Sequence, residues 1–357
     1  MGVLLLSSAL QAHLVLALAG VSSAYIAIAR PTLSRRKAHT HTHTHTSPPA
    51  TLLEAGTSPA LSATRLAALR AGLAVYIFAM GATQLSRLGP YVFKFYTIWN
   101  WWLLGLYFAL AAAASVLCAR QEAAAAEAEA EAEAEALRAR KEAAEATAEA
   151  PAGAEDAAGQ AAVVAAPPPA ATPAAPLLRA TPLSRACHAL FLINSSTVII
   201  VDAVCWGVLY PMLARGPQTP EIERIVRRLL LTFTSYNQHG LNAVYIYTDL
   251  FLNRHRLAFH AVGPLGLWSL SFGLWALAWH AKTGKWLYPF LDTSKPWAPG
   301  AYFGLYVVHW LAFGLVALLY RIKAAVYGDK GPCTTTATAA VVVGAEGAQR
   351  GGKAKTQ

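Results

Sequence analysis

Residues 95–117 read FYTIWNWWLLGLYFALAAAASVL, with no Asp, Glu, Lys or Arg anywhere in the run. A helix needs about 20 apolar residues, rising 1.5 Å each, to cross ~30 Å of hydrocarbon. The run lacks the apolar/polar alternation of a barrel strand. A helix is then the backbone form that can satisfy its own N–H and C=O groups in lipid. Five more apolar runs lie at 71–86, 187–211, 229–252, 260–281 and 300–322, the first short but extensible back to Leu66. Together they predict an all-α fold, a polytopic transmembrane bundle of six core helices.

A further hydrophobic segment covers 3–29 and is followed by Arg30, Arg35, Arg36 and Lys37. It is long enough for an uncleaved anchor. It is also Ser/Thr-bearing and acid-free like a targeting segment, although it lacks a basic start. Both readings stay open.

Whole-chain composition agrees with a membrane protein. Of 357 residues, 55% are hydrophobic and only 13% charged, against roughly 25% charged in soluble domains. The net charge of +10 hides an uneven distribution, because 11 of the 19 acidic residues lie in 119–185. That stretch carries −5 and the remainder +15, mostly Arg and Lys flanking apolar runs as at membrane edges. No basic stripe interleaved with aromatics occurs, so no nucleic-acid partner is expected. Counting Lys and Arg at the span ends does not separate the two faces, so membrane orientation and organelle stay undetermined. Oligomeric state is not readable either. The cysteines Cys118, Cys187, Cys205 and Cys333 form no CxxC pair and predict no disulfide framework.

The chain divides into five stretches. Residues 1–64 hold the N-terminal segment and a His-Thr repeat at 39–46, read as a low-complexity linker. Helices 1–2 occupy 65–118. The insertion 119–185 runs from Ala/Glu to Ala/Pro; like charges all round the first part leave no core-facing side, so it reads as solvated, helical and then disordered. Helices 3–6 fill 186–325, and a Gly/Thr/Ala-rich tail covers 326–357.

Ionisable groups inside a span are costly and mark functional candidates. Asp202 and Asp249 are the acids within the spans, and His239 and His309 sit far from span ends. Thr97 lies just inside one face. His239 lies ~15 Å in from the same face, or ~10 Å if its helix starts near Thr232. His309 and Asp202 fall in the same half. On a continuous helix Thr232, Ser235, His239, Asn242 and Asp249 share one face. A Thr becomes a nucleophile when a base lies within hydrogen-bond reach. His239 is the candidate base, Asp202 its orienting acid, and Asn100 or Asn242 the oxyanion donor, with His309 nearby. GxSxG, HExxH, P-loop and GxGxxG patterns are all missing, and no cofactor is expected. A metal site on His239, His309 and Asp202 is conceivable for zinc, although the spacing matches no metal motif.

Three segments resemble the androgen-induced-gene family of multi-pass membrane proteins, which includes the rolling-stone proteins and plant relatives. Phe95-Tyr96-Thr97-Ile98-Trp99-Asn100-Trp101 is similar to the family's YLTxxN helix start. His239 to Asp249, HGLNAVYIYTD, matches its His ten residues before an acid. Trp286 to Pro296, WLYPFLDTSKP, looks like its W-x-YPFL-[DE] loop and is the most specific of the three. Ala298-Pro299 and His309 are similar to the plant or algal type. Animal members hydrolyse fatty acid esters of hydroxy fatty acids with a Thr nucleophile and a His, which the resemblance maps onto Thr97 and His239. It implies membrane lipids as surroundings and a lipid ester drawn from the bilayer as substrate. Asp202 has no counterpart in those hydrolases, and rolling-stone members act in cell fusion. The competing expectation is therefore a non-catalytic multi-pass protein for adhesion or fusion, scaffolding or lipid binding.

Overall fold

The computed structural model describes residues 7–38, 50–148, 179–216 and 219–328. The His-Thr repeat, the Ala/Pro half of the insertion and the expected tail from 329 onward lie outside them. Among the described residues there is no strand, and six helices are long and apolar enough to cross a membrane. That is the architecture of a multi-pass integral membrane protein, an all-α helix bundle.

The six are α1 (Ser8–Ala38), α3 (Ala63–Leu88), α4 (Tyr96–Ala148), α5 (Pro182–Val204, continued through a π-turn at Cys205–Leu209 into α6, Tyr210–Arg215), α10 (Val262–Thr283) and α11 (Ala298–Tyr327). A short α2 (Leu52–Gly56) precedes α3. The Ala/Glu part of the insertion is helical to Ala148, an unbroken extension of α4.

One expected span is different. Residues 229–252 do not form a single helix. The chain from Pro220 to Leu252 is built instead from α7 (Pro220–Ile225), a π-turn (Val226–Leu230), α8 (Phe233–Tyr236), a second π-turn (Asn237–Leu241) and α9 (Asn242–Leu252). Thr232 is extended, with φ −123° and ψ 157°, and its hydroxyl accepts the Ser235 N–H at 3.1 Å. This is an N-cap, which restarts a helix instead of continuing one. His239 is also non-helical, at φ −132° and ψ 35°. The single polar face from Thr232 to Asp249 therefore does not exist as a helical stripe.

Side chains from elsewhere hold the break in place. Asn237 Oδ1 accepts the hydroxyls of Tyr76 at 2.6 Å and Tyr245 at 2.9 Å. Gln238 donates to Gln84 at 2.8 Å. The indole of Trp206 donates to the carbonyl of His239, the residue at the break. Irregular backbone at membrane depth is tolerated where protein buries it in this way.

Helices in lipid gain no hydrophobic transfer energy from meeting one another, so close approach and polar pairs carry the packing. Helices α3 and α4 form the most extensive pair, joined by Gly89 at φ 73° and a 3₁₀ turn at Pro90–Lys94. Helix α1 packs on α10 and α11. Gly263 makes that possible, since a Cβ there would lie 2.5 Å from Ala27 N and 2.7 Å from Ser23 O.

Near the start of α3, at the other end of that helix from Gly89, the bundle is tied by charge. Arg70 is fully buried and Asp249 1% exposed. The guanidinium holds the carboxylate through Nε–Oδ1 at 2.7 Å and Nη2–Oδ2 at 3.1 Å. Its remaining nitrogen donates to Ala55 O at 2.7 Å and Ser115 Oγ at 2.9 Å. Tyr107 and Asn253 donate to the same carboxylate. Asp249 is thus a structural tie between α3, α4 and α9.

Candidate active site

A cavity of about 1010 Å³ opens among α1, α3, α4, α5, the broken segment, α10 and α11. That is at the upper end of the ~300–1,000 Å³ typical of ligand pockets. Apolar side chains such as Leu16, Val204, Leu270 and Leu305 line it, together with Thr97 and His239.

Thr97 occupies the first turn of α4, whose start is set where the 3₁₀ turn ends at an extended Phe95. His239 arrives from the π-turn of the broken segment. The two meet with Thr97 Oγ1 3.4 Å from His239 Nε2. The second ring nitrogen, Nδ1, is buried without a hydrogen bond, although the Val201 backbone lies close to the ring. Nothing charged orients this imidazole.

The expected helpers sit elsewhere. Asp202 Oδ1 accepts from Asn242 Nδ2 at 3.0 Å and makes no bond to His239. Asn100 is committed to packing: its amide donates to Tyr96 O at 2.9 Å and its oxygen accepts the Trp268 indole at 3.0 Å. None of Asp202, Asn100 and Asn242 lines the cavity, and none of their hydrogen bonds runs to Thr97 or His239. His309 does line it, but its Nε2 pairs with Ser269 Oγ at 2.7 Å. The three suggested metal ligands thus have three different partners. Among the described residues no group of three or more His, Cys, Asp or Glu is placed to hold a metal ion.

The structure supplies a polar group that sequence reasoning did not single out. Tyr288, from the loop between α10 and α11, lines the cavity and accepts the Tyr96 N–H on its hydroxyl at 3.1 Å. The same hydroxyl lies near that of Thr97. Having accepted a backbone N–H, the phenol keeps its own proton for Thr97 or for a substrate oxygen. Asp292 holds this loop in shape by accepting Ser294 Oγ at 2.7 Å and Ser294 N at 3.0 Å. Those bonds, the hydroxyl's first, lower its pKa below the usual carboxylate value. Tyr288 stands in WLYPFLDTSKP, where a tyrosine in an aromatic loop announces no role by itself.

Compared with protein-family models, with curated protein sequences and with solved structures, the chain matches none.

Proposed function

We propose that the chain is an integral membrane lipid-ester hydrolase with Thr97 as nucleophile and His239 as base. The observation that carries this is the Thr97–His239 contact at the wall of a large apolar cavity. Thr97 Oγ1 attacks the ester carbonyl while His239 Nε2 takes its proton. The ester C–O bond breaks, and the proton passes from His239 to the departing alkoxide. Water, deprotonated by the same imidazole, then cleaves the acyl-threonine. The developing oxyanion forms beside the Tyr288 hydroxyl and the N-terminal end of α4, whose dipole favours negative charge. Apo geometry at 3.4 Å is compatible with a bond that tightens once substrate binds.

Arg87, Lys94 and Arg228 line the same cavity, with Glu221 as its acidic member. This balance suits an ester with a free carboxylate. Fatty acid esters of hydroxy fatty acids have that form, and they are the substrates the resemblance implies. Purified protein in mixed micelles is expected to release free fatty acid from such an ester. Saturable binding of the ester with no release above a protein-free blank would contradict this reading and favour a non-catalytic lipid-binding protein.

A further inference from the structure

A second hydroxyl–imidazole pair faces the same cavity. Ser269 on α10 and His309 on α11 both line it, with Ser269 Oγ 2.7 Å from His309 Nε2. His309 Nδ1 lies 2.6 Å from the Leu305 carbonyl, which can only accept. The proton is therefore on Nδ1, and Nε2 presents a lone pair to the serine. Ser269 Oγ is also 2.6 Å from the Tyr96 hydroxyl. Since the serine proton points at His309, the phenol is the donor there. With a neutral imidazole the order runs Tyr96 O–H to Ser269 Oγ–H to His309 Nε2.

This pair is better formed than Thr97–His239. Its bond is shorter, and its base is locked in one tautomer by a backbone carbonyl. A serine activated by an oriented imidazole is the general pattern of a nucleophile. What it lacks is an oxyanion site. Ser269 sits in the middle of α10, where the backbone N–H groups belong to the helix ladder. Loss of one oxyanion donor alone costs about 10²–10³ in rate. Thr97, at a helix start beside Tyr288, has what Ser269 is missing.

We propose that Ser269–His309 is a second, slower acylation centre in this cavity, reactive towards acyl or phosphonyl electrophiles carried on an alkyl chain. It rests on reading the cavity as an acyl-transfer site. With an ester, the Ser269 Oγ–acyl bond forms and the ester C–O bond breaks. The serine proton passes to His309 Nε2 and on to the alkoxide, and water later hydrolyses the acyl-serine. With an alkyl fluorophosphonate, the Oγ–P bond forms, the P–F bond breaks, fluoride leaves and the proton stays on His309.

The fluorophosphonate is the probe. Detergent-solubilised full chain is labelled, digested and mapped by mass spectrometry, as wild type, Thr97→Ala, Ser269→Ala and His309→Gln. An adduct on Ser269 is expected in wild type and in Thr97→Ala, labelling at least tenfold more slowly in His309→Gln. Wild type needs no substitution, so a variant that misfolds does not blunt the test. An adduct on Thr97 alone overturns this proposal and leaves the Thr97 hydrolase standing. An adduct on Ser269 alone supports it and counts against Thr97. Absence of any adduct on Ser269 overturns it in every case.

Discussion

Thr97→Ala is expected to lower lipid-ester turnover by about 10³-fold or more, the scale seen when a hydroxyl nucleophile is removed. The loss should fall on kcat, because the threonine methyl and hydroxyl are a small part of a cavity of about 1010 Å³ and substrate still fits. His239→Ala should cost about 10²–10⁴-fold, the usual contribution of a general base. The double variant should be no worse than Thr97→Ala, since a base without its nucleophile has nothing to deprotonate. Thr97→Ser keeps the hydroxyl and should keep measurable turnover. Whatever remains in Thr97→Ala should fall again when Ser269→Ala is added. Release of free fatty acid by each purified variant, at matched thermal stability, reads the outcome. Asp202→Asn serves as contrast: its carboxylate bonds Asn242 outside the cavity, so turnover should stay close to wild type.

Arg70→Met should give the largest loss of stability in the chain. Removing one member of a buried ion pair typically costs ~3–5 kcal/mol, because the other charge is left uncompensated. Here the stranded group is Asp249, 1% exposed. Ala55 O and Ser115 Oγ lose their donor as well. Adding Asp249→Leu removes the stranded charge and should recover part of the loss, although Tyr107 and Asn253 then lack their acceptor. Thermal unfolding in detergent separates the cases. Equal unfolding temperatures for wild type and Arg70→Met would show that the tie carries no stability.

Long apolar runs made most of the fold legible. The stretch FYTIWNWWLLGLYFALAAAASVL has to be a helix in lipid, and so do four of the other five runs. The failure at 229–252 has a physical cause. Hydropathy reports burial in lipid but not backbone continuity. The restart was written in Thr232 and Ser235, an N-cap pair indistinguishable by composition from interhelical glue. Reading those residues as a stripe assumed the continuity that the cap denies.

The proximity of Thr97 and His239 depended on depth from one face, which a break disturbs less than it disturbs rotation. Asp202 is placed by its depth on another helix, and Asn100 and Asn242 by polarity, neither of which fixes the direction a side chain faces, and all three sit outside the cavity. Arg70 was hidden for another reason. Near a span end an Arg ordinarily reaches for water, so its position alone marks it as one more interfacial basic residue. Yet an Asp inside a span requires a partner, and Arg70 was an available cation. Tyr288 and Ser269 carried no sequence signal of their own. One is a phenol in an aromatic loop and the other a serine in an apolar helix, and only the cavity gives them meaning.

The central claim is that Thr97 becomes acylated during turnover. Purified protein mixed with a lipid ester, quenched in acid within the first turnover and digested, can be read by mass spectrometry. The account predicts a mass increase equal to the fatty acyl group on the peptide containing Thr97, absent from Thr97→Ala and from His239→Ala. Turnover that proceeds with no acyl group on Thr97 at any time would contradict it.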